Sequence, residues 1–228
     1  MMYKSDFILS LLSPVENWKY VSESMVSILL CEEAAAMVGF EQRNPHHCYD
    51  LMNHVLHTVD EINLKAREIK TSVDLLRTAA FLHDIGKPNV AMEKEDRLVF
   101  YDHAKRSAEI SEGLLSKLGY KLDEIQLISF YISHHDDFIF YVLPSEKYDK
   151  ENPYLIEITA DNIIKHINAK SEQAAIYPNA DIWHDLLVLC HADISAQSEI
   201  VLMNGLQVDS KEHKLSRIAE IKRILTTI

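Results

Sequence analysis

The scarcity of glycine and proline constrains the fold of this chain more than any other feature of its sequence. Only 5 Gly and 6 Pro occur in 228 residues, so long stretches run without the residues that most often interrupt helices. Within these stretches apolar residues recur at intervals of three and four, the spacing that places them on one helical face. The sequence therefore predicts an all-α fold, a bundle of about eight helices.

Capping residues and apolar periodicity place the predicted helices. They cover approximately residues 14–38, 49–70, 72–83, 103–118, 123–135, 155–169, 180–197 and 211–225. Ser13 and Glu16 resemble a capping box, and Gly39 is expected to end the first helix. The other predicted caps are Ser72 or Asp74, Asp102 and Asp123. Residues 98–101 are predicted to be extended, and residues 144–153 to form the longest loop.

Composition and charge limit the classes of function. Hydrophobic residues make up 47% of the chain and charged residues 25%, an ordinary balance for a globular protein large enough to bury a core. The formal net charge of -12 repels polyphosphate, which disfavours a nucleic-acid partner. A small phosphorylated substrate in a locally positive pocket is compatible with this charge. No apolar run approaches the length that spans a bilayer, so no membrane partner is expected.

The three cysteines, Cys31, Cys48 and Cys190, are isolated from one another in the sequence. An odd number of cysteines without a pattern favours a reducing compartment and buried thiols. The early apolar run FILSLL is too short for a secretory core. We therefore expect a cytoplasmic protein, and the sequence leaves its oligomeric state open.

Three His-Asp pairs are candidate chemical sites: residues 83–84, 135–136 and 184–185. His83-Asp84 lies at the end of a predicted apolar helix, directly before the break at Gly86. Adjacent helical residues are about 100° apart, so both side chains can enter one concave site. An imidazole and a carboxylate suit Fe, Mn, Ni, Co or Zn, and the two carboxylate oxygens can bridge two ions. Lys87 follows the turn, where it can reach an anion bound to the metal.

The segment FLHDIGKP, residues 81–88, resembles the signature of the HD superfamily of metal-dependent phosphohydrolases. The upstream segment NPHHCYDLMNHVLHTVD, residues 44–60, is similar to a helix of the HD domain found behind the catalytic core of CCA-adding tRNA nucleotidyltransferases. The resemblance covers about residues 40 to 200. It implies the helical bundle of an HD domain over residues 41–228, with residues 1–40 as an N-terminal helical segment packed on that core.

The resemblance also implies a set of metal ligands. His54 is the upstream ligand, the His83-Asp84 pair provides the next two, and Asp193 in LCHADISAQ is the downstream ligand. His57 is the main alternative to His54. One or two divalent transition metal ions (Fe, Mn, Ni, Co or Zn) are therefore the expected cofactor.

Many members of the superfamily hold a second ion. The matching positions here are His103 in FYDHAKRSAE and His134 and His135 in ISHHDDF, with a slight preference for His135. Asp50 lies four residues before His54, and some relatives carry an acidic residue there. We expect Asp50 to be an outer ligand or to orient His54.

The activity that the resemblance implies is a phosphohydrolase, either a phosphomonoesterase or a phosphodiesterase, acting on a nucleotide or another small phosphorylated molecule. Metal-activated hydroxide would attack phosphorus, with Asp84 and Lys87 as catalytic residues and Lys87 and Arg106 as substrate-binding residues. The candidates for a general acid are Asp136, Asp137 and His57. The chain has no room for the nucleotidyltransferase domain of the CCA-adding relatives, so tRNA end-building is not expected.

Three alternatives come from other classes of function. A sensor module would bind metal or nucleotide without turnover, a di-iron oxygenase would share the fold, and a helical scaffold would need no metal. Bound metal separates the scaffold from the others, turnover separates an enzyme from a sensor, and iron with oxygen consumption identifies an oxygenase. The His184-Asp185 pair has no matching context and is predicted to be a structural or surface pair.

Overall fold

The computed structural model describes residues 2–146, 151–174, 179–203 and 205–227. In this part of the chain the fold is mostly helical, which confirms the predicted all-α class. The helices are α1 (Lys4–Ser10), α2 (Pro14–Trp18), α3 (Glu23–Leu29), α4 (Glu32–Ala35), α5 (Leu51–Leu64), α6 (Val73–Leu82), α7 (Lys87–Val90), α8 (His103–Leu118), α9 (Leu122–His134), α10 (Ala160–Gln173), α11 (Ala180–Ser195) and α12 (Lys211–Leu225). Short strands form three pairs: antiparallel β1 (Met92–Lys94) with β2 (Arg97–Val99), parallel β3 (Tyr141–Val142) with β4 (Ile156–Glu157), and antiparallel β5 (Ile200–Met203) with β6 (Leu206–Ser210).

The amino-terminal segment is a series of short helices. The predicted single helix over residues 14–38 is wrong, because the backbone is extended at Ser22 and Cys31 and separates α2, α3 and α4. A continuous helix would hold Trp18 and Met37 roughly 28 Å apart at 1.5 Å per residue, whereas both side chains are buried in one core. Trp18 packs against an aromatic ring of α6 with centroids 5.1 Å apart, so this segment folds onto the central helices. The domain boundary after residue 40 stays a prediction.

Helices α5 and α6 lie at the centre of the core, and each begins at a side-chain cap. Asp50 caps α5, because its Oδ1 accepts a hydrogen bond from the Asn53 N–H at 3.0 Å. The Ser72 hydroxyl caps α6, so the cap is Ser72 rather than Asp74. Helix α5 ends at Leu64, earlier than the predicted end at residue 70. Since α5 packs on α6 and α11, and α6 also packs on α9, the ends of these helices lie close together.

The bounds of the later helices are close to the predicted ones. Helix α8 ends before Gly119, whose φ of +90° favours a residue without a side chain. Helix α9 begins at Leu122, so the predicted cap Asp123 lies inside its first turn. Helix α10 begins at Ala160 rather than near residue 155, because β4 pairs with β3 directly before it. Among the described helices, none combines the length and the apolar character needed to cross a bilayer.

Two hairpins interrupt the helical fold. Strands β1 and β2 occupy residues 92–99 and include part of the extended segment predicted at residues 98–101. Strands β5 and β6, within residues 200–210, form a hairpin that the sequence analysis does not predict. Of the predicted loop over residues 144–153, residues 147–150 lie outside the described residues, and the rest is not helical.

The His184-Asp185 pair has the predicted structural role. Asp185 is fully buried, and its carboxylate accepts hydrogen bonds from the Lys70 N–H at 2.9 Å and from the Thr71 N–H and hydroxyl at 2.8 and 2.7 Å. His184 Nδ1 lies 3.1 Å from the same carboxylate. The pair therefore ties α11 to the segment that leads into α6.

The thiols are less uniformly buried than the sequence analysis predicts. Cys190 is buried in α11, where its Sγ donates to the backbone carbonyl of His135 at 3.1 Å. Cys31 is half-buried and Cys48 is exposed. The expectation of three buried thiols is therefore wrong for two of them.

Candidate metal centre

Four side chains converge where α5, α6 and α11 meet. His54 lies in α5, His83 and Asp84 directly follow α6, and Asp193 lies in the last turn of α11. His54 Nε2 is 3.0 Å from Asp193 Oδ1 and 3.4 Å from Asp84 Oδ2. His83 Nε2 is 3.2 Å from Asp84 Oδ2 and 3.7 Å from Asp193 Oδ1. We call His54, His83, Asp84 and Asp193 the first cluster.

A second group of donors faces the other oxygen of Asp84. His103 Nε2 is 3.3 Å and His135 Nε2 is 3.7 Å from Asp84 Oδ1, and the two Nε2 atoms are 3.2 Å apart. His103 is the first residue of α8, and His135 directly follows α9. We call Asp84, His103 and His135 the second cluster. Because Asp84 presents Oδ2 to one cluster and Oδ1 to the other, its carboxylate is placed to bridge two ions.

All four histidines of the clusters are held in the same way. Their Nδ1 atoms contact backbone carbonyl oxygens: His54 with Ala196 at 3.3 Å, His83 with Ala80 at 2.7 Å, His103 with Phe100 at 2.9 Å and His135 with Ile132 at 2.7 Å. A carbonyl oxygen can only accept a hydrogen bond, so each Nδ1 carries a proton and donates it. Each Nε2 then faces the carboxylates, where it can give its lone pair to a metal, as in known metal sites.

The unmatched polar atoms of the site fit a metal ion. Within the described part of the chain, His54 Nε2, His83 Nε2 and Asp84 Oδ1 are buried without a hydrogen-bond partner. Buried polar atoms cost free energy unless a partner satisfies them. Imidazole nitrogens and carboxylate oxygens suit Fe, Mn, Co, Ni or Zn, so the residues present match the expected cofactor.

Electrostatics in the first cluster favour a bound cation. Burial alone would lower the pKa of His83, but the Asp84 and Asp193 carboxylates raise it to about 10. Burial alone would raise the pKa values of Asp84 and Asp193, yet the neighbouring histidines hold both well below the usual range. The carboxylates are therefore charged and attract positive charge. A proton supplies that charge in the metal-free protein, and a metal ion can replace the proton.

Lys87 lies directly against the first cluster. Its Nζ is 2.6 Å from Asp84 Oδ2, 3.0 Å from Gln42 Oε1 and 3.3 Å from His47 Nε2. The lysine is 4% exposed, so its charge is buried together with that of Asp84. The structure thus places the ammonium group on the carboxylate that joins the two clusters.

A cavity of about 490 Å³ opens onto both clusters. Asp84, His103, His135 and Asp193 line its wall, and residues 99–101 and 138–140 supply mostly apolar and aromatic side chains. A volume of this size is typical of sites for small molecules. The clusters are therefore accessible to a small ligand.

His134 is separated from the clusters although it is adjacent to His135. Its Nδ1 lies 2.9 Å from Asp137 Oδ2, and the same oxygen lies 3.0 Å from His166 Nε2 of α10. Adjacent residues at a helix end project about 100° apart, so the orientation that turns His135 towards Asp84 turns His134 towards α10. His134 is therefore not among the donors that the structure brings together in the two clusters, and its role as a metal ligand stays a prediction.

Arg106, His57 and Asp50 also lie outside the clusters. The exposed Arg106 guanidinium pairs with Glu109 at 3.2 Å, and His57 stacks on Tyr49 with centroids 4.4 Å apart. The Asp50 carboxylate accepts the capping hydrogen bond at the start of α5. The ring of His54 is oriented instead by a backbone carbonyl, that of Ala196. Arg106 and Asp50 are therefore engaged away from the clusters, and their expected roles in substrate binding and beside the metal stay predictions.

The residues that α12 brings to the cavity were not predicted from the sequence. Lys214 and Arg217 of this helix line the wall, together with Gln197, His46 and His47. Helix α12 has the predicted bounds, but its pattern does not indicate which polar residues face a cavity. The one sequence feature that could have pointed to this part of the wall is the His46-His47 pair, which was given no role once His54 was chosen as the upstream ligand.

A comparison with protein-family models agrees with this geometry. The family model described as HD domain matches residues 51–179, more than half of the chain. The matched range contains His54, His83 and Asp84, whereas Asp193 and the whole of α12 lie beyond it. No curated protein matches the sequence.

Proposed function

We propose that this chain, which belongs to the HD domain family, is a metal-dependent phosphohydrolase acting on a nucleotide or another small phosphorylated molecule. The observation that carries the proposal is Asp84, whose two oxygens face separate groups of imidazole nitrogens. In this assignment the first cluster would hold one ion, His103 and His135 would hold a second, and Asp84 would serve as a ligand in both clusters. Bound there, divalent ions would lower the pKa of an attacking water and stabilise charge on the phosphoryl oxygens.

The residues around the clusters have separate roles in this proposal. The Lys87 ammonium donates to Asp84 Oδ2 at 2.6 Å and so orients the bridging carboxylate, while its position in the cavity wall adds positive charge. Of the three candidates for a general acid, Asp136 lines the cavity. Asp137 is engaged by two histidines instead. We therefore assign protonation of the leaving group to Asp136.

Cavity size and charge support a small substrate over a nucleic acid. The volume of about 490 Å³ is in the range of small-molecule sites, and the net charge of -12 repels a polyanion outside the local site.

The scattered cysteines are consistent with the proposed cytoplasmic location.

Elemental analysis of protein purified without chelator, followed by a panel of phosphoesters, tests the proposal. We expect about two equivalents of a transition metal per chain, as in two-metal phosphatases, and hydrolysis that a chelator abolishes and added metal restores. Metal without turnover of any phosphoester would favour the sensor alternative. Absence of metal after reconstitution with iron, manganese and nickel would refute the proposed function.

A further inference from the structure

We propose that Lys214 of α12 binds a phosphate oxygen of the substrate, so that a helix beyond the matched family range supplies a cationic contact of the active site. The inference rests on the proposed function for the identity of the substrate. The binding of a phosphate anion by Lys214 can be measured without any turnover.

Lys214 is half-buried in the wall of the cavity. Its Nζ donates to Gln197 Oε1 at 2.8 Å and to His46 Nδ1 at 2.9 Å. An ammonium group has three N–H donors. Two donors are therefore used by the wall, and the third is available to a ligand in the cavity.

Lys214 differs in its charge environment from the other two cations of the wall, Lys87 and Arg217. Lys87 pairs with Asp84 at 2.6 Å, and Arg217 pairs with Glu146 at 3.1 Å. Within the described residues, Lys214 has no carboxylate at ion-pair distance, since its two partners are an amide oxygen and an imidazole nitrogen. The Asp209 and Asp193 carboxylates are near enough to raise the pKa of Lys214 against the effect of burial, but neither forms an ion pair with it. A partly buried charge without a directly paired counter-ion is unfavourable, and an anionic ligand would supply that partner.

The state of His46 supports this account of the charge. Burial and the nearby Lys214 lower the pKa of His46 to about 4, so its ring is neutral at neutral pH and its Nδ1 accepts from the ammonium. Burial also lowers the pKa of Lys214. The contact with His46 therefore fixes the position of the ammonium group without neutralising it.

Gln197 places Lys214 next to the metal centre. Its Nε2 donates to the two carboxylate oxygens of Asp193 at 3.2 and 3.1 Å, while its Oε1 accepts from Lys214. Two successive hydrogen bonds thus connect Lys214 to a residue of the first cluster. Lys214, Asp84 and Asp193 also line the same cavity, so a phosphate group bound at that cluster would share the cavity with the third donor of Lys214.

Isothermal titration of inorganic phosphate into the full chain, loaded with manganese, tests this inference. Lys214→Met removes the charge but keeps the aliphatic stem, and Lys214→Arg keeps the charge. Lys211→Met is the matched control on the same helix, because Lys211 pairs with Glu199 at 2.7 Å outside the cavity wall. We expect Lys214→Met to weaken phosphate binding by about tenfold or more, the effect of one charge-assisted hydrogen bond, and Lys211→Met to leave it unchanged.

Metal content and melting temperature, measured for every variant, separate a contact with substrate from a structural role. Wild-type affinity for phosphate in Lys214→Met would overturn the inference, as would the absence of binding by the wild type at millimolar phosphate. Loss of metal from Lys214→Met would make Lys214 a positioning residue that acts on Asp193 through Gln197, which also overturns it. Lys214→Arg, if folded, is expected to retain phosphate binding, and loss of binding there would contradict a role for charge.

Kinetic measurements distinguish failure of this inference from failure of the proposed function. If the wild type hydrolyses a phosphoester, Lys214→Met is expected to raise KM more than it lowers kcat. Hydrolysis with an unchanged KM in Lys214→Met would refute the inference alone. Phosphate binding that depends on Lys214, without hydrolysis of any phosphoester, would refute the proposed function and leave the inference standing.

Discussion

At the level of single residues, the partner of Nδ1 decides what each histidine does. In His83 and His135 this atom meets a backbone carbonyl, and Nε2 turns towards Asp84. In His134 the same atom meets the Asp137 carboxylate, which also contacts His166 of α10. His134 and His135 are therefore placed differently, because a backbone carbonyl orients His135 towards Asp84 whereas the Asp137 carboxylate holds His134 outside the clusters.

The first prediction compares two His-Asp pairs by removing one side chain from each. Asp84→Ala is expected to abolish bound metal, since it removes the carboxylate shared by both clusters. His184→Ala is expected to keep the full metal content, because its pair ties α11 to the segment before α6. Elemental analysis of both folded variants checks this. Metal retained by Asp84→Ala would contradict the assignment of the site.

The second prediction separates His134 from His135. His135→Ala is expected to lose the ion of the second cluster and to keep the ion of the first. His134→Ala is expected to keep both ions but to destabilise the fold by roughly 1–3 kcal/mol, through loss of a hydrogen bond to a charged partner. Burial alone would raise the pKa of Asp137, yet hydrogen bonds from His134 and His166 hold it well below its usual range. Denaturant titration with metal analysis measures both effects, and metal loss in His134→Ala would show that the wrong histidine was excluded.

At the level of elements, the close approach of α8 to the turn at Gly86 sets the distance between His103 of α8 and Asp84, which lies two residues before Gly86. A Cβ on Gly86 would lie 2.6 Å from the Ser107 backbone nitrogen and 2.9 Å from the Arg106 carbonyl carbon. The Gly86 N–H also donates to the Ser107 hydroxyl at 2.9 Å. Glycine is therefore required here because the backbone of α8, which carries His103, packs directly on this turn.

The third prediction follows from this contact. Gly86→Ala is expected to destabilise the protein by about 1–3 kcal/mol, the usual cost of overpacking, and to weaken the second cluster by moving His103 away from Asp84. Gly113→Ala in α8 is the control, because apart from the adjacent residues and backbone of its own helix no described atom lies within 4 Å of its Cβ position. This control is expected to stabilise the protein by about 0.5–1 kcal/mol. Equal stability of the two variants would show that the approach at Gly86 is not tight.

At the level of the whole molecule, the two clusters join segments that are far apart in the sequence. The candidate ligands come from α5, α8, α11 and the turns that follow α6 and α9. A metal ion that binds the folded chain and not the unfolded one stabilises the fold by mass action. A metal ion bound at the two clusters would therefore also link these elements.

The fourth prediction concerns protons displaced by metal. The pKa of about 10 keeps His83 protonated at pH 7 in the metal-free protein, so metal binding is expected to release protons. Affinity is then expected to rise by about tenfold per pH unit for each proton released, and to level off above the pKa of His83. Metal titrations in buffers of different ionisation enthalpy measure the number of protons. Binding without proton release would contradict the assignment of His83.

The raised pKa of His83 also determines how the stability of the fold depends on pH when a chelator has removed the metal. The pKa of His83 is raised from 6.5 to about 10 on folding, so its protonation stabilises the fold below pH 6.5. That contribution is expected to decrease as the pH rises from 6.5 towards 10. Denaturant titrations with chelator across this range check the trend, and His83→Gln is expected to remove most of it.

The sequence was enough to predict the helical class, the bounds of α8 and α12, and the His83-Asp84 pair at a helix end before a glycine. These features depend on local rules: helical periodicity, capping preferences and the turn that glycine permits. The predictions succeed because residues that are close together in the chain determine these local structures. Of the two alternatives predicted for the His184-Asp185 pair, structural or surface, the buried Asp185 supports the structural one.

The tertiary fold determined what local rules leave open. It divided the first predicted helix, because buried side chains such as Trp18 and Met37 had to reach a common core. It also separated His134 from His135 and placed Lys214, rather than Arg106, in the cavity wall. The direction in which a polar side chain points depends on which distant element packs against it. A helical pattern therefore predicts that α12 forms, while only its packing on α11 brings Lys214 beside the metal centre.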